Sequence, residues 1–242
     1  MSALDLSLSL LVLQPEMSQL ILGIADVNHQ ISWLKTILLP FQTYYHLNAA
    51  TFRYHTVFLC QLLESLRMDV RSDRGPPLVW PPTATNIPFQ SFMDLSLPFS
   101  KAGLEEFQSS HLEVMVSKAF LEDGDWAAYY SIGMEARSQG DQMLFRPPMT
   151  DIRFSVVGTE EERFQLAATG ADPEGPLTAD GSVDLDGNME MEETNWGGGN
   201  WMWKVKMCPI GLFGTWGTRQ VDNGFLWMFK RDWCYKSASE ST

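Results

Sequence analysis

From residue 126 onward the chain is written in short runs of period two, and this rhythm constrains the fold more than any other feature. "DIRFSV" sets Ile152, Phe154 and Val156 on one face, and "RFQLAAT" does the same with Phe164, Leu166 and Ala168. "NWMWKVKM" aligns Trp201, Trp203, Val205 and Met207, and "GFLWMFKR" aligns Phe225, Trp227 and Phe229. Between the runs lie "TGADPEGP", "LDGN", "WGGGN" and "VDNG", whose Gly, Asn, Asp and Pro supply turn conformations. With 126–132, 176–184, 188–194 and 210–216, about eight strands follow one another at the spacing of an all-β barrel or sandwich. An eight-stranded up-and-down barrel has room inside for its own side chains or for one small ligand.

The first part of the chain has a different period. Leu20, Ile21, Ile24, Val27, Ile31 and Leu34 recur at helical spacing, as do Phe52, Val57, Leu59, Leu63 and Leu66 after Pro40. "RGPPLVWPPTATNIP", residues 74–88, holds five prolines and suits neither a helix nor a central strand. The expected organisation of the 242 residues is a helical region over 1–73, a Pro-rich connector over 74–100, a barrel over 101–236 and a frayed tail over 237–242. The fold class expected is therefore mainly β with N-terminal helices, an α+β chain.

Charge excludes one class of partner. The formal net charge is −13, and between Phe164 and Met202 there is no Lys or Arg while Asp172, Glu174, Asp180, Asp184, Asp186, Glu190, Glu192 and Glu193 all occur. Such a surface repels a phosphate backbone, so no nucleic acid is expected. Cys60, Cys208 and Cys234 are odd in number and widely spaced, there is no N-x-[ST] sequon, and Asp5 stands where a signal peptide needs a base. No apolar run reaches the roughly 18 residues of a spanning helix. These features point to a cytoplasmic or nuclear protein without stable membrane insertion.

Catalytic motifs are few. "WGGGNW" fits neither a dinucleotide loop nor a P-loop. "SVDLDGNMEMEE" places Asp184, Asp186, Gly187 and Glu193 at calcium-loop spacing, but a Ser stands first and no helix leads in, so a hairpin turn is expected there. His29, His46, His55 and His111 form no H-E-x-x-H pattern, and there is no G-x-S-x-G. No metal or cofactor is expected. The candidates for catalysis are His111, Arg153 and Tyr130, the second because a guanidinium at a barrel mouth could fix an anionic group. Trp126, Tyr129, Tyr130, Trp196, Trp201, Trp203, Trp216, Trp227 and Trp233 all fall in the β half. A cavity lined by several of them is the ligand hypothesis, with Trp126, Tyr129, Tyr130, Arg153, Phe154, Trp201, Trp203, Trp216 and Trp227 as its wall.

"FLEDGDWAAYYS", "RPPMTDIRFSV", "FQLAATGADPEGPLTADGSV", "WKVKMCPIGLFGTWG" and "GFLWMFKRDW" together resemble, in order, blocks in the C-terminal region of a group of fungal F-box proteins. The resemblance covers roughly residues 80 to 234. It implies a lipocalin-like, calycin-type barrel preceded by an F-box, the helical module that binds the Skp1 adaptor of an SCF ubiquitin ligase. "LQPEMSQLIL", Leu13 to Leu22, resembles a degenerate F-box opening, with Pro15, Glu16, Ile21 and Leu22 in place and Gln14 where a proline is usual. Two functions follow as expectations. In the first, the barrel binds an apolar small molecule and serves as a cofactor-independent cyclase or isomerase, of Diels-Alder type, in fungal secondary metabolism. Such catalysis works by orientation and a few hydrogen bonds rather than by a nucleophile. In the second, the chain is an F-box-type adaptor whose barrel captures a peptide degron.

Overall fold

The computed structural model describes residues 62, 112–133, 144–160, 162–195, 199–208 and 211–234. The chain divides into two compact units, and apart from Leu62 every described residue belongs to the second, which comprises residues 78–89 and 105–242. The F-box-like opening, the connector, the tail, the four histidines including His111, and Trp196 lie outside the described residues. Leu62 is helical and buried.

Two short helices, α1 (Leu112–Met115) and α2 (Lys118–Glu122), lead into the strands β1 (Trp126–Ile132), β2 (Leu144–Phe145), β3 (Met149–Glu160), β4 (Arg163–Asp172), β5 (Gly175–Asp184), β6 (Asn188–Asn195), β7 (Asn200–Cys208), β8 (Gly211–Gly217) and β9 (Asp222–Lys230). A 3-10 turn, Arg231–Trp233, follows β9. Each of β3 to β9 pairs antiparallel with the next, β1 pairs with β3, and β1 also pairs with β9 from Trp126↔Lys230 to Tyr130↔Leu226. The result is a closed eight-stranded antiparallel barrel with β2 attached as a ninth strand beside the end of β1. Among the described residues, closure leaves no long edge of unpaired backbone to attract another chain.

The expected strands are all present. The turn sequences terminate them for the expected reason: in "LDGN" Gly187 takes a φ of 79°, and Asp184 accepts backbone N–H groups from Gly187 and Asn188. The β2 strand was not anticipated, because two residues carry no periodicity. The third strand is also longer than "DIRFSV", beginning at Met149 directly after the prolines that cannot join a ladder.

Facing residues in an antiparallel ladder put their side chains on the same side of the sheet, so the registers sort every position as inner or outer. The inner set runs from Trp126, Ala128 and Tyr130 on β1 through Ile152 and Phe154, Leu166, Ala179, Met191, Trp203 and Trp216 to Leu226 on β9. Trp126, Met189, Met191, Trp203, Met207 and Leu226 have no accessible surface, so no void as large as a water touches them. The middle of the barrel is a packed core. Outer positions on β5 and β6 are polar and mostly exposed, for example Thr178, Asp180 and Glu190.

On β1, β8 and β9 the outer face is buried as well. Tyr129, Phe213, Phe225, Trp227 and Phe229 lie on it with at most 2% of their surface accessible. The aromatic richness of the last two strands therefore serves both faces, and the run Phe225, Trp227, Phe229 points away from the interior.

Candidate functional site

The two ends of the barrel differ. At one end β1 begins and β9 finishes, and α2 lies across them. Ser117 caps α2 by accepting the Phe120 N–H at 3.2 Å, which places Phe120 edge-on to Trp126 with centroids 5.9 Å apart. The Trp126 indole N–H donates to the Leu121 carbonyl at 3.2 Å, and its ring meets Phe154 at 5.5 Å and 86°. Lys230, the last residue of β9, faces inward here with its Nζ 4.2 Å above the Phe120 ring, and donates to the Asp123 carbonyl. Desolvation pulls the Lys230 ammonium below its usual range, with Asp123 opposing the shift. This end is plugged.

The other end is ringed by the last part of β1, the start of β7 and the end of β8. Four residues beyond Trp126 on β1, about 13 Å away, Tyr130 packs against Trp216 with centroids 5.5 Å apart and planes at 86°. Trp216 meets Trp201 at 5.3 Å and 76°. The ring of Trp216 is held by its indole N–H, which donates to the Ser131 carbonyl at 2.8 Å. Gly224 makes that approach possible, since a Cβ there would sit 1.8 Å from the Ser131 oxygen and 2.6 Å from the Trp216 nitrogen. Trp201 and Trp216 are half-buried, whereas Trp203, one inner position deeper on β7, is fully buried.

Among these rings stands a carboxylate. Glu193 follows Met189 and Met191 at the inner positions of β6, faces Trp201 across the β6–β7 ladder, and is 3% exposed. Its Oε2 accepts the Trp203 indole N–H at 2.7 Å. Burial pushes the Glu193 carboxyl up to about 7; the Trp203 hydrogen bond opposes the shift, and Asp172 and Glu174 reinforce it. Burial pushes the Tyr130 hydroxyl up to about 12, with Asp172, Glu193 and Glu174 adding to the shift and Arg146 opposing it. Tyr130 is thus a neutral hydrogen-bonding group at physiological pH, and Glu193 a group that can give or take a proton there.

The expected ligand wall is divided among three places. Tyr130, Trp201 and Trp216 come together at the rim, with Trp203 directly beneath. Trp126 and Phe154 belong to the plug at the opposite end. Tyr129 and Trp227 face each other on the outer side of β1 and β9, not the interior. Arg153 is on the outer face of β3 rather than at a mouth: its Nε donates to Asp125 at 2.6 Å, and the pair borders an open surface cleft of about 390 Å³ with Glu122, Gly124, Phe154 and Ser155. The Asp125 contact raises the guanidinium's affinity for its proton and lowers the Asp125 carboxyl.

Glu193 is the residue the sequence reading placed elsewhere, in the acidic face and at the end of a calcium-loop spacing. Asp184 and Asp186 lie at the plugged end, while Glu193 is five residues along β6 from Asn188, about 17 Å away, so they do not form one loop. Among the described residues no group of three or more His, Cys, Asp or Glu could hold a metal. The signal for Glu193 was present in "NMEMEETN", where the inner positions read Met, Met, Glu. No helix among the described residues is long and apolar enough to cross a membrane. Comparison with known families, curated proteins and solved structures finds no match for this chain.

Proposed function

We propose that the barrel binds a small molecule with an apolar body at the rim formed by Tyr130, Trp201 and Trp216, above Glu193. One observation carries this reading: a carboxylate that is 3% exposed sits among half-buried aromatic rings at one end of a barrel whose other end is plugged. Burying an ionisable group without a charge partner costs stability, and chains retain such groups where they act. The packed centre confines the ligand to the rim, so its body rests on indole and phenol faces rather than filling a deep cavity. The expected chemistry, cofactor-independent cyclisation or isomerisation, needs rigid walls and one or two polar groups. Tyr130 would supply a hydrogen bond and Glu193 a proton donor or acceptor.

The test is titration of the full chain with N-phenyl-1-naphthylamine, a neutral dye that brightens in apolar sites. Saturable binding with energy transfer from tryptophan, weakened in Trp216→Leu, supports the proposal. Absence of saturable binding, or binding indifferent to Trp216, overturns it.

A further inference from the structure

Three polar atoms at the rim have no hydrogen-bond partner among the described residues. Glu193 uses Oε2, towards Trp203, and its second oxygen accepts no hydrogen bond from the described residues. Neither the Tyr130 hydroxyl nor the Trp201 indole N–H is hydrogen-bonded among the described residues. Buried polar groups are otherwise almost always satisfied, so a buried carboxylate oxygen that is not marks a place where a ligand completes the set. The rings around it are arranged as a corner: Tyr130 and Trp201 each stand nearly perpendicular to Trp216, at 86° and 76°. Rings set at right angles turn their faces, the electron-rich part of an aromatic ring, in different directions around one corner. Such an arrangement attracts a positive charge more than it attracts a neutral group.

The electrostatics select the same sign. Asp172 and Glu174 lie close enough to Glu193 and Tyr130 to act on both, with Arg146 opposing them at Tyr130. An anionic ligand would be repelled, and a neutral hydrocarbon would leave the Glu193 oxygen desolvated and unpaired.

Resting on the small-molecule reading above, we propose that the rim recognises an organic cation, an alkylammonium head carried on an apolar body, with Glu193 as counter-ion and Tyr130, Trp201 and Trp216 as the aromatic walls. A primary or secondary ammonium would also donate to the free Glu193 oxygen. A quaternary one would be held by the rings and the charge alone.

Phenyltrimethylammonium and tert-butylbenzene have nearly the same shape and differ in charge, which makes them the discriminating pair. Each is titrated into the full-length protein while the indole N–H resonances are followed by two-dimensional NMR. The expected result is saturable movement of the Trp201 and Trp203 signals with the cation, at an affinity about tenfold or more above that for the neutral isostere. In Glu193→Gln the preference should fall to about twofold or less, and a Trp203 signal retained near its place certifies that the rim is still folded. Tyr130→Phe keeps the ring and should retain most of the preference.

Equal binding of the two compounds, or a preference untouched in Glu193→Gln, overturns the cation proposal. The neutral-dye titration is independent of this comparison. A protein that binds the dye at Trp216 but does not prefer the cation has lost this inference and kept the small-molecule reading, and a protein that fails in both has lost both.

Discussion

Inside the barrel the Trp203 indole donates to Glu193 Oε2 at 2.7 Å, joining a fully buried ring to a carboxyl that has no counter-ion among the described residues. Burial of this carboxyl, opposed by the bond from Trp203, sets its ionisation. A carboxyl held near 7 in the folded state and near 4.5 in the unfolded state binds its proton more tightly when folded. Folding stability associated with Glu193 is therefore fully present below about 4.5 and lost as pH rises through about 7. The loss amounts to roughly 3 kcal/mol at most. Glu193→Gln keeps an acceptor for Trp203 and carries no charge. Its melting temperature should match that of the natural protein at about pH 4 and exceed it at about pH 8. A difference between the two proteins that does not change with pH would show that Glu193 is not held protonated by the fold.

Removing the donor instead of the acceptor has the opposite effect. Trp203→Phe leaves Glu193 buried with neither oxygen paired, so its pKa should move further up and the fold should weaken. The smaller ring also leaves a gap among Met189, Met191 and Trp216. Together these should cost about 2 to 4 kcal/mol in urea unfolding at pH 7.5. The same variant in the Glu193→Gln background should cost less, because an unpaired amide is cheaper to bury than an unpaired carboxylate. Equal losses in the two backgrounds would mean that the bond contributes nothing beyond packing.

The plugged end depends on a buried cation rather than a buried acid. Lys230 is 5% exposed, with its stem across the Trp126 side of the core and its Nζ over Phe120 and at Asp123. Desolvation already works against its charge, so the stem and its ring contacts carry much of what the residue contributes. Lys230→Met preserves that volume and should cost about 1 kcal/mol or less, while Lys230→Ala should cost about 2 to 4 kcal/mol. Chemical denaturation measures both. If the two variants lose equal stability, the ammonium and not the stem closes this end.

The strands were legible in the sequence because alternation and turn chemistry are local. "RFQLAAT" and "SVDLDGN" read the same whether one knows the fold or not, and they became β4 and the β5–β6 turn. Their spacing narrowed the fold to a barrel or a sandwich, and the β1–β9 pairing is what closes the ring. What alternation cannot say is which of its two faces looks inward. In "GFLWMFKR" both sets are apolar, and only the register Tyr129↔Trp227 against Tyr130↔Leu226 assigns the aromatic set to the outside. The same ambiguity hid Glu193: in an acidic segment one more glutamate reads as surface, and only its place after two inner methionines sets it apart.

That division of the aromatics gives a last test, since neighbouring residues on one strand should behave differently. Tyr129 and Tyr130 are adjacent on β1, but the first packs outward against Phe229 at 6.1 Å and the second inward against Trp216. Tyr129→Leu and Trp227→Leu should lower thermal stability, each by about 1 to 3 kcal/mol, and leave dye binding at the rim unchanged once the protein is folded. Tyr130→Leu and Trp216→Leu remove ring surface from the rim and should weaken dye binding by about tenfold. Arg153→Ala, on the outer face of β3, should alter neither property measurably, because its partner Asp125 is a surface carboxylate. Loss of dye binding in the Tyr129 or Trp227 variant under folded conditions would move the ligand from the rim to the outer face of the barrel.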